Sequence, residues 1–155
     1  MVWKPAVTVA AVIERDGRFL FVDESPDNGE RVLNQPAGHW ERGETLPEAC
    51  AREALEESGC VFVPRALIGV YRWKSGPQSG AETYLRFAFS GDIDSIDQHR
   101  KLDEGIHGTL WLSAEELRAH SRKHVTRLRS PLVLRCVEDY LAGRRYPLDL
   151  LAFLS

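Results

Sequence analysis

The sequence predicts an α/β sandwich, and three observations predict it. Segments rich in β-branched residues recur along the chain, with helical segments between and after them. One helix, Thr45 to Ser58, carries clear start and stop signals. No repeat, low-complexity tract or linker interrupts the 155 residues, so a single domain over 1–155 is expected. A chain of this length buries a core without disulfides or structural metal.

The elements follow in order. Val7 to Ile13 is β-branched and reads as a strand, with Arg18 to Val22 as its partner. Asp16-Gly17 between them is a hairpin signal, because both residues tolerate positive φ. Glu24 to Gly29 reads as a loop, and Arg31 to Asn34 as a short strand leading into Gln35-Pro36-Ala37-Gly38. In the Thr45–Ser58 helix, Thr45 and Glu48 make a capping box, Pro47 sits in the first turn and Gly59 stops it. Its far side, with Ala51, Ala54 and Leu55, is expected to pack on a sheet. Val61 to Trp73 reads as strand interrupted by Pro64, and Lys74 to Gly80 as a polar loop. In Glu82 to Phe89, Tyr84, Arg86 and Ala88 alternate with Leu85, Phe87 and Phe89, as a strand requires. Gly91 to Gly105 is polar and acidic and reads as a loop, followed by a strand from Gly108 to Leu112. Ser113 and Glu116 form a second capping box that opens a short helix. Ser130 and Pro131 open a last helix with an apolar stripe, ending near Ala142. The hydrophobic tail, Tyr146 to Leu154, is expected to pack back on the body.

Composition narrows the function. Hydrophobic content of 43% and charged content of 28% are those of an ordinary globular chain. The net charge of −3 gives no general attraction for nucleic acid or anionic membrane. Cys50, Cys60 and Cys136 are widely spaced and odd in number, with no CxxC pair, so a reducing, cytoplasmic setting is expected. No apolar run approaches the roughly 20 residues that span a bilayer.

The Thr45–Ser58 helix ends on an electrostatic anomaly. Glu53, Glu56 and Glu57 fall at i, i+3 and i+4 and share one face. They crowd the C-terminal turn, where the helix dipole is already negative. Each like-charged pair costs roughly 0.2–0.5 kcal/mol. Three carboxylates converging there call for a positive partner, and a hard divalent cation is the natural one.

From Gly38 to Cys60 the chain reads Gly38, five residues, Glu44, seven residues, then Arg52-Glu53-Ala54-Leu55-Glu56-Glu57-Ser58-Gly59-Cys60. This resembles the Nudix box of the Nudix hydrolase family. The charged and glycine positions of that pattern are all present. Cys60 stands where the family has an aliphatic residue, and Ala54 is a smaller apolar residue than usual. The resemblance implies an α/β/α sandwich with a central mixed β-sheet. It also implies hydrolysis of nucleoside diphosphate derivatives with Mg²⁺ or Mn²⁺. Glu53, Glu56 and Glu57 would then be metal ligands, with the Gly38 carbonyl as a further oxygen. Arg52 and Glu44 would position those ligands. Glu53 is the first choice of general base and Glu56 the second. Glu104, in Asp103-Glu104-Gly105, is the chosen carboxylate from outside the box, with Asp103 the weaker choice.

Outside the box, Lys4-Pro5, Asn34 to His39, Leu128 to Val133 and Arg145 to Leu148 are similar to the NudJ-type bacterial phosphatases of that family. That likeness implies orthophosphate release from nucleoside tri- and diphosphates and from hydroxymethylpyrimidine diphosphate. Two other readings stand beside it: a pyrophosphohydrolase of modified nucleotides or dinucleotides, and a nucleotide-sensing module without hydrolysis. The expected partner is a small phosphorylated substrate, with the protein a monomer or homodimer.

Four residues are candidates for holding that substrate. Arg129 precedes the last helix, whose N-terminus attracts phosphate. Trp73 and Tyr84, with Tyr71, are able to stack on a ring, although strand aromatics also serve as core. His39 directly follows Gly38. The basic run Arg118, Arg122, Lys123, His124 and Arg127 reads either as an anion-attracting rim or as a solvated face.

Overall fold

The computed structural model describes residues 1–26, 29–76, 82–123 and 127–155. Ten strands and three α-helices lie among them: β1 (Ala6–Val12), β2 (Glu14–Arg15), β3 (Arg18–Glu24), β4 (Val32–Asn34), β5 (Ala37–His39), α1 (Leu46–Ser58), β6 (Cys60–Lys74), β7 (Thr83–Ile96), β8 (Ile106–Leu112), α2 (Ala114–Lys123), β9 (Arg127–Leu128), α3 (Leu132–Leu141) and β10 (Tyr146–Pro147). The sheets are mixed, as expected, and the strands divide between two of them. One runs β10-β6-β7-β1-β5, with β1 and β7 parallel and the other pairs antiparallel. The other runs β2-β3-β4-β9, with β8 also paired to β3.

Two cores cover the two faces of the first sheet. On one face, Val9, Ala11 and Ile13 meet Ala49, Cys50 and Ala54 of α1, together with Phe62 and Phe89. On the other, Ala10, Val12 and Ala88 meet Val133, Cys136 and Val137 of α3, along with Phe19 and Phe21. Successive β1 residues therefore point to opposite cores, and the sheet is covered by α1 on one side and by α3 on the other. The three cysteines are buried and unpaired with one another, so they act as packing residues. In the tail, Leu148 and Leu151 pack onto the α1-side core, while Phe153 and Leu154 stay exposed. No helix among the described residues is long and apolar enough to cross a membrane.

Several elements differ from the sequence reading. The expected hairpin turns at Asp16 (φ 53°) and Gly17 (φ 78°), but its first arm is the two-residue β2. β1, which ends at Val12, does not pair with β3 and pairs with β5 and β7 instead, because both of its faces are apolar enough to sit inside a covered sheet. Gly91 to Ile96 is not loop but the second half of β7, paired with Cys60–Pro64. There Ile93 and Ile96 alternate with acidic and small residues, and Asp92 is held by Arg65 at 2.8 Å. Pro64 does not interrupt β6; it sits at a register shift in the ladder. Of the loops expected at Glu24–Gly29 and Lys74–Gly80, residues 27–28 and 77–80 lie outside the described residues, as does His124 of the basic run.

Candidate active site

α1 forms as its end signals dictate. Glu48 N donates to Thr45 Oγ1 at 3.2 Å, and Glu48 Oε1 accepts from Thr45 N at 3.4 Å. At the other end Gly59 N donates to Leu55 O at 2.9 Å. The buried face is Ala49, Cys50 and Ala54, whereas Ala51 and Leu55 are only half-buried. That face carries only small side chains. It brings the helix close to the sheet and draws the flanking carboxylates under the edge strand β5.

Glu53 and Glu57 are consequently each only 8% exposed, so the expected open carboxylate face is half covered. Glu57 Oε1 accepts the edge N–H of Ala37 at 2.8 Å. Glu53 lies against Gly38 so closely that a Cβ there would overlap its carboxylate. Gly38 is thus the only residue type that leaves room for Glu53. Burial pushes Glu53 up to about 7, against the pull of Arg52 and with help from Glu56 and Asp103. Burial also pushes Glu57 up to about 9, opposed by the Ala37 N–H and reinforced by Glu24 and Glu53.

Arg52 ties this region together. Its Nε and Nη2 bind Glu44 at 2.9 and 2.8 Å. Nη2 also donates to His39 O at 3.0 Å, and Nη1 to Glu53 at 2.9 Å and Glu56 at 3.2 Å. These bonds raise Arg52 above its ordinary value, and the Arg52 hydrogen bonds hold Glu44 below the usual carboxylate range. Glu44 in turn accepts from Glu41 N at 2.9 Å, which closes the loop between β5 and α1.

Among the described residues, one group of three carboxylates is arranged to hold a cation. Glu53, Glu56 and Asp103 bring oxygens within 4.8 Å of one another. Two of the residues chosen from sequence lie outside this group. The outside carboxylate in the group is Asp103, placed there because its N–H donates to Glu56 O at 3.0 Å. Glu104, the choice made from sequence, is exposed and does not join the group. Glu57 does not join it either; its Oε1 accepts the N–H of Ala37. The donors are hard oxygens, the set that suits Mg²⁺ or Mn²⁺.

Beside this group lies a cavity of about 350 Å³. Glu53, Glu57, Gly38 and His39 line it, and so do Trp73, Tyr84 and Arg129. All four substrate candidates from the sequence therefore share one cavity with the helix carboxylates. Trp73 and Tyr84 are cross-strand neighbours with stacked rings, 5.6 Å apart and 23° from parallel. Tyr71 goes elsewhere: its hydroxyl donates to Asp139 Oδ2 at 2.7 Å beneath α3. Arg129 is paired with Glu24 at 3.3 Å. Arg118 and Arg127 pair with Glu138 and Glu30, so these two do not form an open anion rim. Sequence reasoning missed Glu24, Asn34 and Arg86, which also line the cavity. An arginine in the apolar alternation of β7 was the available signal for the last.

Comparison with known proteins agrees with this geometry. The NUDIX domain model matches residues 2–132. The chain is 40% identical over 149 residues to Phosphatase NudJ of Escherichia coli K12, covering 96% of this chain and 92% of that protein. A solved NUDIX hydrolase from Nitrosomonas europaea is 51% identical, with a TM-score of 0.89 over 97% of this chain and 98% of its own. The solution structure of the E. coli ORF135 protein, 22% identical with a TM-score of 0.69 over 91% of each chain, shares the fold. The chain belongs to the Nudix hydrolase family, and is a hydrolase of phosphoanhydride bonds in nucleotide-like substrates.

Proposed function

We propose that the protein is a divalent-cation-dependent phosphatase that releases orthophosphate from nucleoside tri- and diphosphates and from related pyrophosphates such as hydroxymethylpyrimidine diphosphate. The observation that carries this reading is the cavity shared by the α1 carboxylates, the Trp73–Tyr84 stack and Arg129. The 40% identity to a protein named as a phosphatase supports it.

Each end of such a substrate has a counterpart. The aromatic pair offers a face for a base or pyrimidine ring. Arg129 and His39 offer donors to phosphate oxygens. Glu53, Glu56 and Asp103 would hold Mg²⁺ or Mn²⁺, with Glu57 and the Gly38 carbonyl as further oxygens. When bound, that cation neutralises phosphate oxygens and acidifies an attacking water. Glu53, which lines the cavity, is the proton acceptor in this reading, and Glu56 is the alternative. Arg52 holds both carboxylates in place through its two Nη1 contacts. Glu104 is the further acid to be tested against Asp103.

A panel of phosphorylated substrates with Mg²⁺, scored for both orthophosphate and pyrophosphate, tests the reading. Orthophosphate from ATP or GTP is the expected product. Pyrophosphate with a monophosphate would favour the nucleotide pyrophosphohydrolase reading. Binding without turnover would favour a nucleotide-sensing module.

A further inference from the structure

Arg86 is a buried cation that meets no carboxylate among the described residues. It lies on β7 facing α3 and is 5% exposed. A guanidinium has five N–H groups to place. Nη1 donates to Gln35 Oε1 at 3.0 Å and approaches Cys136 Sγ at 4.0 Å, and Nη2 donates to Asn34 Oδ1 at 3.1 Å. Its Nε–H is fully buried and has no acceptor. Every partner is a neutral group. The other arginines around the site differ, since Arg52 meets Glu44 and Arg129 meets Glu24.

This guanidinium is held in place from outside. Gln35 Nε2 donates to Val133 O of α3 at 2.7 Å, and Asn34 Nδ2 donates to Glu24 Oε1 at 3.2 Å. A tie between β7 and α3 alone would not need a full charge, whose burial beside neutral groups is costly. Arg86 also lines the candidate substrate cavity. The N-terminus of α3, at the same cavity, does not substitute for it. There Leu132 N donates to Ser130 Oγ at 3.1 Å and Val133 N to Ser130 O at 3.2 Å.

We propose that Arg86 is an anion-reading residue of this cavity, which binds a phosphate oxygen of the substrate directly and without a metal ion. The proposal rests on the cavity being where the substrate's phosphate chain lies. It assigns part of that chain to a fixed protein cation and leaves the rest to the divalent cation that Glu53, Glu56 and Asp103 would hold. Arg86 acts on binding, not on the attacking water, so its loss raises KM more than it lowers kcat.

The test is isothermal titration of inorganic pyrophosphate into the protein in EDTA, with thermal unfolding to confirm that each variant is folded. The wild type binds, and Arg86→Gln weakens binding roughly tenfold or more, as expected for a lost charge-assisted hydrogen bond. Glu56→Gln, by contrast, keeps metal-free binding. Steady-state kinetics with Mg²⁺ and ATP then show a raised KM for Arg86→Gln. The proposal is overturned if the wild type does not bind pyrophosphate in EDTA, or if folded Arg86→Gln binds it as tightly as the wild type. Should Arg86→Gln not fold, Arg86→Met, which keeps much of the length of the side chain without its charge, decides: weaker binding supports the proposal and unchanged binding overturns it. Titration is read apart from turnover, so an inactive enzyme that binds pyrophosphate through Arg86 would refute the proposed activity and leave this assignment standing.

Discussion

Arg52 grips Glu44 with two nitrogens at once, Nε to Oε2 at 2.9 Å and Nη2 to Oε1 at 2.8 Å. Such a bidentate pair fixes the guanidinium plane, and the remaining nitrogen is left pointing at Glu53 and Glu56. Glu44→Gln therefore loosens Arg52 and, through it, both helix carboxylates. Turnover with Mg²⁺ is expected to fall roughly 10- to 100-fold, the usual cost of losing a residue that orients metal ligands. The far-ultraviolet circular dichroism spectrum is expected to be unchanged. Wild-type turnover in Glu44→Gln would detach Arg52 from the site.

Gly38→Ala probes the fit between β5 and α1. The added methyl overlaps the Glu53 carboxylate, so that side chain must move or the helix must back away. Overpacking of this kind costs about 1–3 kcal/mol. The expected outcome is a folded protein with a lowered thermal midpoint and severely reduced turnover. A variant with ordinary kinetics would mean that Glu53 is not needed where it lies.

Asp103 and Glu104 are adjacent and chemically alike, and the structure separates them. Asp103→Asn removes one carboxylate oxygen from the Glu53–Glu56 group, whereas Glu104→Gln changes a side chain outside it. The concentration of Mg²⁺ needed for half-maximal activity should rise at least several-fold in the first variant and stay the same in the second. The reverse pattern would restore the choice made from sequence.

That choice shows where sequence ceases to decide. The spacing of Gly38, Glu44, Arg52, Glu53, Glu56 and Glu57 was legible because one helix and one loop fix their relation locally. The face alternation of Tyr84, Arg86 and Ala88 was legible for the same reason. Asp103 was not, because its place depends on one long-range bond from its N–H to Glu56 O. β1 misled in a similar way. A strong turn at Asp16-Gly17 suggests a simple hairpin, but β1 finds a better-covered position beside β7. The burial of Glu53 and Glu57 was also hidden, because it follows from how closely Ala49, Cys50 and Ala54 let α1 approach.

Asp139 supplies a pH prediction away from the site. Burial alone would raise its carboxyl, but the Tyr71 hydroxyl and Arg135 outweigh that and hold it below its ordinary 3.8. A depressed pKa means that the ionised form is favoured by folding. Its contribution is present above pH 3.8 and is lost as pH falls through the lower folded value. Asp139→Asn should thus destabilise the protein by about 1–3 kcal/mol at pH 7. The difference from wild type should shrink as the pH drops below 3.8. Denaturant midpoints measured at pH 7 and pH 3 check this, and an equal gap at both would refute it.

The most direct test of the central claim is phosphorus NMR of a nucleoside triphosphate incubated with the protein and Mg²⁺, in parallel with Glu56→Gln. The account predicts orthophosphate and nucleoside diphosphate as the first products of the wild type, and at most trace turnover by a folded Glu56→Gln. Pyrophosphate and monophosphate as the first products, or comparable turnover by Glu56→Gln, would contradict it.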